Sequence, residues 1–302
     1  MTVLDQVMQR IGQTNILDGP ADRVSVAVSK VTHNAPVSTI VSGTWLGHPL
    51  HPVLTDVPIG AWSSALVLDL LGGRRSRRAA QSLVGVGVLG ALPTALTGLA
   101  DWVDTGAEAR RLGIAHATLN SAALTFYTLS WRARRRGHHA RGVALALGGA
   151  TAVAAAATIG GHLVYRSGIG VDVNIFDTGP DEWTPIDDGS TPLTGIEGMH
   201  VTAADADVLA LHNGDGSWRG VGARCSHRDG PLQEGTFEHG CVTCPWHHSR
   251  FDLRDGSVVD GPATAPQPLY DVVADAGRLK LRRRHTPAAS VEPLMSATDH
   301  EE

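Results

Sequence analysis

The pattern of apolar and polar positions divides the chain into two halves of different character. Four long apolar stretches follow one another at 53–72, 79–100, 114–131 and 143–165. Each is roughly 18–23 residues long, about what an α-helix needs to cross a bilayer. They are rich in Gly and Ala, which allows close helix approach in lipid. Beyond residue 195 the apolar period shortens to that of strands. Stretches 208–212 and 218–224 flank Asn213-Gly214-Asp215-Gly216, a hairpin signal. Shorter strand patterns follow at 241–242, 250–253, 258–259 and 270–273. The predicted fold class is therefore an α-helical membrane bundle of four transmembrane helices followed by a small all-β domain. The expected boundaries are a lead-in at 1–44, the four-helix domain at 45–166, a linker at 167–195, the β domain at 196–284 and a disordered polar tail at 285–302. The lead-in reads as short helical or irregular segments, with Gly19-Pro20 and Ala35-Pro36 as breakers. Soluble helices buried in a bundle are the alternative to spans, and the polar residues Asp56, Asp69, His116 and Asn120 inside the stretches weigh toward it.

Charge in the connections predicts an orientation. The first link reads Arg74-Arg75-Ser76-Arg77-Arg78 and the third Arg132-Ala133-Arg134-Arg135-Arg136, whereas the second carries Arg110 and Arg111 against Asp101, Asp104 and Glu108. Basic loops stay in the cytoplasm, so both chain ends and the β domain are expected outside. No cleavable signal peptide opens the chain. The run Arg134-Arg135-Arg136 is compatible with a twin-arginine export signal, but it reads first as a basic flank.

Composition narrows the chemistry. The formal net charge is −5, so no basic field points to nucleic acid. The three cysteines, Cys225, Cys241 and Cys244, lie within twenty residues of one another. That reads as metal chemistry rather than a disulfide framework. Cys225-Ser226-His227 and Cys244-Pro245-Trp246-His247 supply two thiolates and two imidazoles in paired loops, the ligand set of a [2Fe–2S] cluster with two sulfurs on one iron and two histidines on the other. The same four residues could hold zinc. Cys241-x-x-Cys244 could form a redox dithiol, although Cys241 falls where a strand enters the loop.

Around these ligands the chain resembles the Rieske iron–sulfur family over about 180–283. The first loop, Cys225-Ser226-His227-Arg228-Asp229-Gly230-Pro231-Leu232, matches. So does the second, Gly240-Cys241-Val242-Thr243-Cys244-Pro245-Trp246-His247-His248-Ser249-Arg250-Phe251-Asp252, with Gly261-Pro262-Ala263 as the proline loop. The resemblance implies Cys225, His227, Cys244 and His247 as cluster ligands. It implies that the inter-loop disulfide of high-potential members is missing, since Gly230 and Trp246 stand at its positions. Ser249 stands where a hydroxyl bonds a bridging sulfide, and Phe251 replaces a tyrosine. His248 departs from the usual glycine, which puts the second loop's backbone in question.

Ahead of the first span, Gly47-His48-Pro49-Leu50-His51-Pro52 resembles an uncharacterised bacterial four-span family marked by G-H-P-L-H-P, which also matches Asp101-Trp102, His116 and Gly160-Gly161-His162. The topology places His48, His51, Asp56, Asp101, His116, Asn120 and His162 at the membrane face that bears the β domain. Three roles stand open for them: axial ligands of haem b, a quinone headgroup site, or caps that hydrogen-bond the backbone. A non-haem iron triad of His48, His51 and Asp56 is a weaker fourth. The expectation is a multi-pass protein of the bacterial inner membrane, in contact with the lipid bilayer. It would pass single electrons between a membrane donor and a redox partner protein. The alternatives are a ferredoxin-like donor to an oxygenase and a redox sensor. A self-contained oxygenase is disfavoured, because no iron-binding domain follows the β domain.

Overall fold

A computed structural model describes residues 2–285 apart from 33, 177–178, 188 and 276; the expected tail lies outside the described residues except for His285. Three short helices open the chain: α1 (Val3–Gly12), α2 (Asp18–Thr32) and α3 (Ala35–Ser42). α1 begins with a reciprocal cap in which Thr2 Oγ1 accepts from the Asp5 N–H at 3.1 Å and Asp5 returns the bond to the Thr2 N–H at 2.9 Å. The expected breakers stand at helix starts. Pro20 and Pro36 fall in the first turns of α2 and α3, where a missing N–H has no intrahelical partner to lose.

Four long helices follow: α4 (Leu50–Leu71), α5 (Arg77–Val103), α6 (Ala107–Arg135) and α7 (His139–Tyr165). Three of the four are long and apolar enough to cross a membrane, and α6 is the exception. Its stretch 114–131 has no charged residue, but His116, Asn120 and several hydroxyls lower its hydropathy. Those hydroxyls bond back to their own helix, as Thr118 does to the Ile114 carbonyl and Ser121 to that of Ala117, both at 2.8 Å. A helix with that content spans a bilayer only with its polar groups satisfied by itself and its neighbours.

The bundle shows how such satisfaction works. Pro58 has no N–H for the Leu54 carbonyl, and the Thr94 hydroxyl of α5 reaches that carbonyl at 3.0 Å, sharing its proton with Gly90 O. Trp62 and Tyr127 stack at 4.0 Å with planes 7° apart. The Trp62 ring lies against Gly87, where a Cβ would come within 2.2 Å of it, so only glycine admits the ring there. At the end bearing the arginine links, Arg134 makes a two-pronged pair with Asp69 at 2.8 and 2.5 Å, both side chains 1% exposed. Its Nε donates to Ser130 Oγ, and that hydroxyl donates to the Gly142 carbonyl at 2.6 Å. His139 Nε2 stands 3.5 Å from Asp69. Arg134 is thus a buried clamp joining α4, α6 and α7, and neither a solvent-facing flank nor part of a free arginine run.

The second half forms two antiparallel sheets. One has seven strands: β1 (Thr184–Pro185), β2 (Thr191–Pro192), β3 (Gly198–Ala203), β4 (Ala206–His212), β5 (Trp218–Gly222), β10 (Leu269–Asp275) and β11 (Arg278–Arg283), in the order β1-β11-β10-β5-β4-β3-β2. The other holds β6 (Thr236–Glu238), β7 (Cys241–Thr243), β8 (Arg250–Asp252) and β9 (Val258–Asp260). The predicted hairpin is β4–β5, with Val208 opposite Gly222. The Pro-, Gly- and Asp-rich stretch before it is tied to the sheet, because β1 and β2 form its two outer strands, positions where proline is tolerated. A core of Leu209, Leu211, Val221, Leu232, Val242 and Phe251 lies under the two cysteine loops.

The β domain rests on the end of the bundle. Thr44 Oγ1 donates to the Ala263 carbonyl at 2.8 Å, the Gly261 N–H donates to Thr39 Oγ1 at 3.1 Å, and Arg228 donates to the Asp101 carbonyl at 3.3 Å. Removing one partner of the Asp69–Arg134 pair leaves a buried charge uncompensated. Asp69→Ala is expected to lower stability by about 3–5 kcal/mol, read as a fall in the melting temperature of the detergent-solubilised chain. Asp69→Leu combined with Arg134→Met should recover most of that loss.

Candidate metal centre

The two cysteine loops are built alike. In the first, the Cys225 N–H donates to the Gly230 carbonyl at 2.9 Å and the Asp229 N–H to the Cys225 carbonyl at 2.8 Å. In the second, the Cys244 N–H donates to the Ser249 carbonyl at 2.8 Å and the His248 N–H to the Cys244 carbonyl at 3.2 Å. Asp229 and His248 occupy the matching left-handed position, with φ of 62° and 63°. His248 therefore takes the conformation glycine would supply, and the second loop keeps its course. A non-glycine residue there costs roughly 1–2 kcal/mol.

The loops bring all four expected ligands together. Cys225 and Cys244 are 2% and 1% exposed and hydrogen-bond each other. The bond from Cys225 holds the Cys244 thiol down at about 7 against the opposing effect of burial, with help from the Trp246 and His247 N–H groups. The same bond, with burial, pushes Cys225 up. His227 is kept neutral, its pKa lowered by burial first and then by Arg228 and His247. Its Nδ1 is buried without a hydrogen-bond partner, which in a protein interior is costly. The His227 and His247 rings meet edge to face at 5.2 Å. Gly230 makes room for the arrangement: a Cβ there would come within 2.6 Å of Cys244 Sγ and 3.4 Å of the Trp246 ring. Two adjoining thiols, one of them held low, together with two imidazoles and an orphaned buried nitrogen fit a [2Fe–2S] cluster with mixed ligands.

Neighbouring groups have separate places. Ser249 is fully buried, and its Oγ accepts from the Ala263 N–H at 2.9 Å, leaving its own proton to donate elsewhere. Phe251 is fully buried in the apolar core. Cys241 lies in β7 with its Sγ 3.8 Å from the His239 carbonyl, on the strand rather than in the loop. Trp246 is 53% exposed beside the ligands.

The polar set of the membrane face does not gather into one site. His48 and Asp56 are exposed, and His48 Nδ1 lies 3.0 Å from the Pro49 carbonyl. His51 Nδ1 pairs with the Thr94 carbonyl at 2.9 Å, and His116 Nδ1 with that of Ala156 at 2.8 Å. Asn120 meets His116 Nε2 at 3.0 Å. His162 is half-buried at the end of α7, and Asp101 at the end of α5. Among the described residues no three acids or histidines of this set converge to metal-ligand distance, so His48, His51 and Asp56 form no triad. The group that does converge is Asp104, His227 and His247, whose ligand atoms lie within 4.8 Å of one another. Asp104 escaped sequence reasoning because no local pattern links it to loops more than a hundred residues away.

Comparison with known proteins follows the same division. The Rieske [2Fe–2S] domain matches residues 189–273, and a predicted membrane protein family, DUF2231, matches residues 47–173. The 3-phenylpropionate/cinnamic acid dioxygenase ferredoxin subunit of Photorhabdus laumondii is 39% identical over 72 residues, 24% of this chain and 69% of that protein. The subunit of the same name from Escherichia coli K12 is 34% identical over 82 residues, 27% of this chain and 77% of that protein. The solved ferredoxin of carbazole 1,9a-dioxygenase from Nocardioides aromaticivorans IC177 aligns with 35% of this chain and 99% of its own, at 26% identity and a TM-score of 0.29.

Two substitutions probe the loops. Gly230→Ala is expected to bring iron content well below that of the unaltered chain, because its methyl group enters the space of Cys244 Sγ. His248→Gly should raise stability by about 0.5–1 kcal/mol by removing the left-handed penalty, measured by thermal unfolding at unchanged iron content.

Proposed function

This chain belongs to the Rieske [2Fe–2S] proteins, with a DUF2231 membrane-protein domain ahead of its cluster domain, and on that premise we propose that it is a membrane-anchored one-electron carrier. Cys225 and Cys244 would hold one iron, and His227 and His247 the other. Bound there, the cluster supplies a site that accepts one electron and returns it. The protein's part is to position and insulate it. The nearly buried cysteines keep water from the sulfurs, the N–H groups of Trp246 and His247 face the Cys244 thiolate, and Ser249 has a proton to donate. The observation that carries the reading is the pair of matched loops, which gathers two thiols and two imidazoles, one imidazole with an unpartnered nitrogen.

Anchoring is supported by α4, α5 and α7, and by outward-facing Leu70 on α4 and Leu89, Leu92 and Leu96 on α5. The arginine links lie at the bundle end away from the cluster loops, so the positive-inside rule puts the cluster domain on the extracytoplasmic face of the bacterial plasma membrane. We assign His51 and His116 to ties between helices, since each gives Nδ1 to a backbone carbonyl of a neighbouring helix, rather than to haem or quinone binding within the bundle. A quinol at the membrane surface is then the donor, and a separate redox protein the acceptor. The names of the similar ferredoxin subunits favour a second reading, in which the acceptor is an oxygenase; we take the donor in that reading to be a soluble reductase.

The purified chain is expected to carry two irons and to give a Rieske-type electron paramagnetic resonance signal on reduction, lost in Cys244→Ser. Zinc in place of iron after anaerobic preparation would sink the assignment. Quinol added to the chain in liposomes should reduce the cluster. Reduction by a soluble NADH-dependent reductase alone would establish the second reading, and a Soret band would overturn the assignment of His51 and His116.

A further inference from the structure

The cluster loops are not a free tip. Their histidine side faces the turn between α5 and α6, and the residue of that turn nearest the ligands is Asp104. Its carboxylate is 8% exposed and stands 3.9 Å from His247 Nε2, the ring nitrogen turned toward the bundle. That separation is longer than a direct hydrogen bond, but two poorly solvated groups at such a distance interact with little screening. Arg228, next to His227, lies in the field of both Asp104 and Asp101, and bonds the Asp101 carbonyl. One cation and two acids thus border the histidine side, all buried or half-buried.

The turn that carries Asp104 is held firmly. The Thr105 N–H and hydroxyl both donate to the Trp102 carbonyl, at 3.1 and 2.8 Å. The Trp102 indole N–H donates to the Arg110 carbonyl at 3.0 Å, and its ring fills the space left by Gly113. A charge on so well-braced a turn keeps its place relative to the β domain for as long as the two halves stay docked. Thr44, Thr39 and Arg228 supply that docking.

We propose that Asp104, a residue of the membrane half, is a positioning residue of the cluster centre that lowers its reduction potential by holding a negative charge against the outward nitrogen of His247. This rests on the Rieske reading above. The sign follows from charge alone: a reduced cluster carries one more negative charge than an oxidised one, so a nearby carboxylate disfavours reduction. It follows that the membrane domain tunes the cluster as well as anchoring it. A cluster domain with the same sequence has a different potential when it leaves the bundle.

The test is a redox titration of the full-length chain in detergent, followed by electron paramagnetic resonance, with iron content measured on each sample. Asp104→Asn is expected to keep its iron and to shift the midpoint potential upward. Asp104→Glu, which restores the charge, should return it toward the starting value. Glu108→Gln removes the same charge from the same region, but Glu108 lies against Gly12 of α1 and should leave the potential alone. If Asp104→Asn fails to hold the cluster, Asp104→Ser reads the same quantity with a smaller side chain. An unshifted potential in a cluster-bearing Asn or Ser variant overturns the proposal. So does an equal shift in Glu108→Gln, which would make the effect one of net charge, or loss of the cluster from both Asn and Ser variants, which would make Asp104 an assembly residue. Failure of the Rieske reading looks different: the unaltered chain itself would lack iron and signal.

Discussion

A polar atom buried in apolar surroundings must find a partner, and this chain meets that demand in opposite ways at its two ends. Inside the bundle the protein answers several such atoms with its own groups. The Leu54 carbonyl released by Pro58 meets the Thr94 hydroxyl, and Asp69 meets Arg134 in a fork that also engages Ser130. At the loop tips the protein withholds the answer. His227 Nδ1 is buried without a partner, and the Cys225 and Cys244 thiols are buried against each other. The first arrangement braces a scaffold, and the second leaves groups able to ligate a metal gathered at one place.

That contrast governs how the halves cooperate. Matched backbone bonds make the loops a pair of rigid jaws whose opening is set by Gly230 and by the left-handed turns at Asp229 and His248. Their histidine side is pressed toward the α5–α6 turn, so the bundle contributes surface to the centre. The ties between helices made by His51 and His116 belong to the scaffold's economy of hydrogen bonds, even though histidines at a membrane face invite a reading as ligands.

The four proposed ligands stood out because their chemistry is local: each loop carries its Cys and His within four residues, and the glycines and prolines needed to turn the chain sit beside them. The long helices were legible for the same reason, since length and apolarity are properties of a single stretch. What escaped depends on distance along the chain. Pro20 and Pro36 look like breakers until helix starts are placed around them. Arg134 looks like a member of a basic flank until Asp69, on another helix, is seen to face it. β3 and β11 are less apolar than the strands they flank and are recognised only by their pairing. Asp104 looks like an ordinary acid in a turn, and His48 and Asp56 like site residues, until the docking of the two halves decides which of them meets the ligands.

The two ends of the seven-stranded sheet bear on how copies of the chain meet one another. An open edge strand offers a row of unpaired backbone groups to any other chain that can extend alongside it. Here both outermost strands are two residues long and end in proline, Thr184-Pro185 on one side and Thr191-Pro192 on the other. A strand that short, with no amide hydrogen at one of its two positions, makes a poor template. The segment that leads from helices to sheet therefore also seals the sheet, and keeps copies of the chain from joining edge to edge.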